Sequence, residues 1–227
     1  LKDGRKAMCA VAWNSEVGLF RFYPLNVLSP AKVWLECDMD LEPDEGSYRK
    51  EDWKLVESKK WDTQEDRIRP VKLWKRPEPK IELLEKLVEL SHPSNVDPVD
   101  YCNEERRSIV MVRPKQLEGR LKTNPSFRNG SQGHLWDDYE HWVMCQNDYR
   151  HIAQLRWVSQ TGKEHDAKIV AQEFHMGLRN RPDKIWSFSQ IYNHEYTKYL
   201  LLGNIKAFPN AFVVVHVHRI KTVNLSD

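Results

Sequence analysis

Apolar residues run through Ala7-Met8-Cys9-Ala10-Val11-Ala12-Trp13 and again, after Asn14-Ser15-Glu16, through Gly18-Leu19-Phe20-Arg21-Phe22-Tyr23-Pro24. Two such runs around a polar turn predict a β-hairpin. In the second run Phe20 and Phe22 share one face, leaving Arg21 and Tyr23 on the other. Val33 to Met39 alternates as a third strand, and 53–56 and 71–74 read as shorter ones. Leucines at helical spacing in Lys80 to Leu90, opened by Pro77 and Pro79 and closed before the prolines of 91–98, predict a helix. Ser108 to Pro114 is a compact apolar strand. Residues 119–133, rich in Gly, Asn, Ser and basic groups, predict a mobile loop and a boundary between domains 1–118 and 134–227. Trp136, Tyr139, Trp142, Val143, Ile152, Leu155 and Trp157 fit one long helix or two over 134–159, and 166–178 predicts another. Segments 184–192, 196–206 and 212–220 alternate as strands, the last two joined at 207–210 as a hairpin. The fold class expected is α+β: a β-rich N-terminal part, small and barrel-like or an open sheet, a helical middle, and C-terminal antiparallel strands.

Composition narrows the functional classes. The net charge of the 227 residues is +2, so no global field draws the chain to nucleic acid or anionic membrane. The charge is instead segregated. Glu36 to Asp52 holds eight acidic residues against Arg49 and Lys50, whereas Lys59 to Lys80 holds eight basic residues against four acidic ones. The four cysteines form no CxxC pair, which predicts reduced thiols rather than a zinc ribbon. No apolar run has the length of a membrane helix, so a soluble cytoplasmic protein is expected. The chain opens on Leu1 rather than methionine, which predicts trimming at its N-terminus.

Cys9-Ala10-Val11-Ala12 followed by Arg21-Phe22-Tyr23-Pro24, then Ser108 to Pro114, then Tyr199 to Asn204 with Pro209-Asn210-Ala211-Phe212, resemble an uncharacterised group of small bacterial proteins over nearly the whole chain. The resemblance implies a shared order of strands, helix and terminal hairpin and brings no activity. The chain departs from the group at Asp44-Glu45-Gly46, where an arginine-proline pair is expected before Ser47-Tyr48.

Few residue constellations carry chemistry. His216 and His218 flank Val217 on a strand and share a face, which two metal ligands require, but no third or fourth ligand is identifiable. His141 and Cys145, with His134 and His151 nearby, lack the second cysteine of a zinc site. The acidic run 38–45 has Pro43 where a calcium loop needs glycine. Asp183, Glu195 and Lys198 are the nearest approach to a metal-dependent nuclease. No nucleotide-binding, hydrolase or zincin motif occurs. What remains is an aromatic and basic face, on which bases stack while cations meet phosphates. Its candidates are Arg21, Tyr23, Lys59, Lys60, Trp61, Arg67, Arg69, Lys72, Trp74 and Arg76, with a second basic stretch over 113–128. Trp136, Trp142 and Trp157 are expected in the core, and Trp13 and Trp34 along the sheet. The function expected is non-enzymatic: binding of nucleic acid, or docking into a larger bacterial assembly, without cofactor or metal. The alternatives are a protein-interaction module and the nuclease.

Overall fold

The computed structural model describes residues 7–26, 29–47, 49–56, 67–125, 127, 150–205 and 208–222. The chain is α+β and divides into two compact units between Leu83 and Leu84.

The first unit opens with the expected hairpin, β1 (Ala7–Asn14) and β2 (Gly18–Asn26). Its turn is made locally: the Asn14 side-chain oxygen accepts from the Glu16 and Val17 amides at 2.8 and 3.3 Å, and Gly18 takes a φ of 84°. Phe20 and Phe22 are buried with Leu25, Leu55 and Ile68, while Tyr23 on the opposite face is exposed. Two short strands, β4 (Leu41–Pro43) and β5 (Asp52–Leu55), complete a sheet of order β1-β2-β5-β4. Here β5 runs parallel to β2. A separate ribbon pairs β3 (Leu35–Asp38) with β6 (Arg69–Leu73), antiparallel. Cys37 of β3 packs against the core of the first sheet.

Helix α1 (Pro77–Ser91) carries the boundary between the units and starts at the prolines expected to open it. In the second unit, α2 (Pro98–Glu104) is capped by Asp97, whose carboxylate accepts from the Val99 and Asp100 amides. Then come β7 (Ile109–Val112), β8 (Gln116–Thr123), β9 (His151–Val158), β10 (Glu164–Lys168) and α3 (Gln172–Asn180). A 3-10 turn at Pro182–Lys184, α4 (Ile185–Phe188), β11 (Tyr196–Ile205) and β12 (Phe208–Lys221) follow. These strands form two antiparallel sheets, β10-β9-β8 and β12-β11-β7. Ile169 joins them, donating its amide to Ala153 and bridging to Val214. Leu155, Trp157, Ile169, Phe174, Leu200 and Val214 are among the buried side chains between these elements.

Four expectations are corrected. Residues 151–158 form a strand, not a helix: Ala153, Leu155 and Trp157 are buried and alternate with Gln154 and Arg156, a period of two that the large residues Ile152, Leu155 and Trp157 obscured. The rest of that expected helix, 134–149, lies outside the described residues. Residues 119–123 continue β8 rather than opening a loop, and 166–168 belong to β10, so the following helix starts later than its expected span. Segment 184–192 is a short helix followed by turns rather than a strand, because Pro182 starts a helical turn and Ile185 and Ile191 bury from it.

Strand β8 lies at a sheet edge, and its glycine has a steric reason. A Cβ on Gly119 would stand 2.5 Å from the Trp186 ring. The Tyr192 hydroxyl donates to the Gly119 carbonyl and accepts from its amide, both at 3.0 Å. Among the described residues no helix is long and apolar enough to cross a membrane.

Candidate nucleic-acid interface

The ribbon of the first unit is organised by one extra residue. Its register pairs Asp38 with Arg69, Cys37 with Pro70, Glu36 with Lys72 and Leu35 with Leu73, which leaves Val71 bulged on β6. Pro70 has no amide to donate, which suits a strand interrupted there. The bulge has a consequence for charge. Arg69 and Lys72 are three apart and would point to opposite faces of a regular strand; with Val71 bulged, both fall on the face of Glu36 and Asp38. Two cations therefore stand opposite two carboxylates, and the acidic and basic segments meet strand to strand.

At one end of this balanced face the ribbon carries two tryptophans. The Trp74 amide donates to the Trp34 carbonyl at 2.9 Å, and the Trp74 indole N–H donates to the Glu36 carboxylate at 3.1 Å. That bond fixes the indole by its edge. Trp34 sits at φ 67°, in the third position of a turn closed by the Leu35 amide on the Lys32 carbonyl, a place that usually falls to glycine. Holding a bulky residue there costs roughly 1–3 kcal/mol. The Lys80 ammonium lies 5.2 Å from the centre of the Trp34 ring, a cation–π contact that offsets part of that cost. Around the rings, Lys32, Lys72, Lys75, Arg76 and Lys80 outnumber Glu36 and Glu78. Lys32, Lys75 and Arg76 are exposed. This end of the ribbon is cationic where the rest is neutral.

The other candidates divide. Arg21 does face away from Phe20 and Phe22, but its guanidinium lies 4.0 Å from Asp52, to which it is also opposed in the β2–β5 register. Tyr23 is exposed on that same face of β2. Arg67 donates to the Val56 carbonyl, and so closes the chain onto itself. Arg69 is exposed opposite Asp38. Lys59, Lys60 and Trp61 lie outside the described residues. Trp34, Glu36 and Lys80 were not among the sequence candidates. Trp34 read as a sheet residue, and no local pattern marks a bond that joins positions 36 and 74.

Elsewhere several charges are paired within the fold. In the second basic stretch Arg113 pairs with Glu85 at 2.6 Å, and Arg120 with Glu118 at 2.8 Å and Asp166 at 3.9 Å. Arg128 lies outside the described residues. His216 and His218 meet edge to face with ring centres 4.5 Å apart, and Glu173 lies 3.4 Å from His216 and 3.7 Å from Arg219. Burial holds His218 well below the ordinary imidazole value, helped by the neighbouring His216 and Arg219. Burial also lowers His216, against the pull of Glu173. Both are thus neutral at neutral pH. Glu195 lies 3.8 Å from Lys221, Lys198 donates to the Asn193 carbonyl, and Asp183 is exposed on the 3-10 turn. No group of three or more His, Cys, Asp or Glu that could hold a metal ion occurs among the described residues. His134, His141 and Cys145 lie outside them.

Compared with family models, curated proteins and solved structures, the chain matches none.

Proposed function

We propose that the protein is a non-enzymatic nucleic-acid-binding component of a bacterial assembly, and that it binds through the tryptophan end of the β3–β6 ribbon. The observation that carries this reading is Trp74, held by its indole N–H on Glu36 and flanked by Lys75 and Arg76. A ring so held offers a base a platform at little ordering cost, and a stacked base contributes about 1–3 kcal/mol. The cations supply the phosphate contacts that such platforms need. The first unit, whose ribbon packs Cys37 into the core under Phe20 and Phe22, serves as a small barrel-like scaffold for this end. Free thiols at Cys9, Cys37 and Cys102 are in keeping with a cytoplasmic setting.

Fluorescence anisotropy of labelled oligonucleotides with the full chain, across a salt series, tests the reading. Binding that weakens with salt and falls roughly ten-fold or more in Trp74→Ala is expected; no salt-dependent binding at micromolar protein would sink it. One observation favours a second reading as a protein-docking module: Val33, Val71 and Leu73 are exposed on and beside the same ribbon. That reading predicts a co-purifying partner released by Val71→Lys, with no response to salt in the oligonucleotide assay.

A further inference from the structure

From the charge register of the ribbon we infer that the nucleic acid is single-stranded and that its footprint is short, confined to the tryptophan end; this rests on the nucleic-acid reading above. A two-stranded antiparallel ribbon has the size that a DNA major groove admits, so a duplex has to be weighed first. Inserting this ribbon would carry Glu36 and Asp38, two apart on β3 and so on one face, between two phosphate walls, and the Val71 bulge places Lys72 and Arg69 directly opposite them. Each cation on that face already stands opposite an anion, so little net charge is left to offset the repulsion. A duplex also hides its base faces in its own stack, whereas a Trp74 ring tethered at its N–H edge would engage a base by stacking, face on face. An unstacked base can meet it; a paired one cannot without being pulled out.

The same register sets where the strand stops. Phosphates flanking the stacked base would meet Lys75, Arg76, Lys80 and Lys32, all within a few residues of the two rings. Glu36 beside the Trp74 ring and Asp38 further along the ribbon interrupt the cationic track, so a longer strand has no continuous path along β3 and β6. About four phosphate contacts give a log–log salt slope of about −3 for a single strand, far shallower than an extended binding channel shows.

The experiment uses the full chain with 6-, 12- and 24-nucleotide single strands and a 24-base-pair duplex of the same sequence, in anisotropy titrations from low to moderate salt. Single strands are expected to bind at least ten-fold tighter than the duplex, with an affinity per site and a slope that do not change between 12 and 24 nucleotides. Trp74→Ala should weaken single-strand binding roughly ten-fold or more, while Trp74→Phe, which keeps a ring, retains most of it. Glu36→Gln with Asp38→Asn is the sharper test. Glutamine can still accept the indole N–H, so the platform stays while the two negative charges go, and the variant should gain duplex affinity several-fold and a steeper slope. Equal affinity for duplex and single strand, or no duplex gain in that double variant, would overturn this inference while leaving nucleic-acid binding intact. Absence of any salt-dependent binding would instead overturn the reading beneath it.

Discussion

The two units of this chain differ in where their anchoring tryptophans sit. In the second unit the largest fully buried side chain among the described residues, Trp157, stacks at 4.2 Å on His165, which in turn meets the Asp97 carboxylate at 2.9 Å. Ion pairs there link separate elements: Lys163 of the β9–β10 turn to Asp100 of α2, and Arg113 to Glu85 of α1. In the first unit a Phe and Leu core supports a ribbon whose strand β6 is exposed along its whole length, and whose tryptophans meet charges at the surface. The contrast separates aromatic residues that hold a fold from aromatic residues that are held by one. It is on the second kind that the proposed binding rests.

The largest expected effect tests the first half of that contrast. Trp157→Ala removes a fully buried ring and should destabilise the second unit by about 3–5 kcal/mol in urea denaturation. Trp157→Phe should cost less, since the indole N–H of Trp157 has no acceptor among the described residues. If Trp157→Ala were as mild as Trp74→Ala, the distinction between the units would collapse.

Next in size, Gly119→Ala should cost about 1–3 kcal/mol, because its methyl group enters the Trp186 ring and one of the two must move. Thermal denaturation reads this directly, and Trp186→Leu in the same chain should recover part of the loss.

Acidification sharpens the comparison, because all nine histidines lie beyond the first unit. Burial lowers His218, His216 and His175 from an ordinary value of 6.5, so the unfolded chain takes up protons before the folded one does. Their contribution is complete above pH 6.5 and is lost as the pH falls below it. A second loss follows at lower pH. Burial opposes the Asp97 carboxylate, but hydrogen bonds from His165 and Ser159 and the charge of His165 outweigh it and hold its carboxyl below 3.8. That contribution is present above the ordinary aspartate value and is lost as the pH falls through the folded one. Amide exchange in urea, corrected for intrinsic rates, should show the second unit weakening between pH 7.5 and 5.5 while the first unit holds, and His218→Gln should flatten the change.

The smallest effect belongs to Lys80→Ala, expected to cost about 0.5–1 kcal/mol through the lost contact with the Trp34 ring. A Trp34→Gly change should recover backbone strain while losing the ring, so its stability cost should be small and its binding cost large.

How much of this was legible in the chain depends on how local each cause is. The β1–β2 hairpin could be read because its turn chemistry, Asn14 with Gly18, and its period-two faces lie within twenty residues. Helix α1 and the β11–β12 pair were readable for similar reasons. Strand β9 was not, because its inner row includes the small Ala153 and its outer row the apolar Ile152, which together imitate a helical spacing. Of the proposed interface, Trp74, Lys72 and Arg76 were among the sequence candidates. Their anchor was not: Glu36 meets Trp74 through a pairing set by the Val71 bulge, and nothing in either segment alone announces that register. Helix α2 went unread although Asp97-Pro98 carries both a cap and a first-turn proline.

The Tyr192 hydroxyl has a consequence beyond the packing of α4. Strand β8 borders its sheet, and a free strand border is where copies of a protein first adhere in a crowded cell. At Gly119 both backbone groups are already engaged by one exposed side chain. A strand arriving from another molecule would have to displace that phenol before it could add its own bonds, so a single oxygen atom helps to keep neighbouring copies of the chain apart.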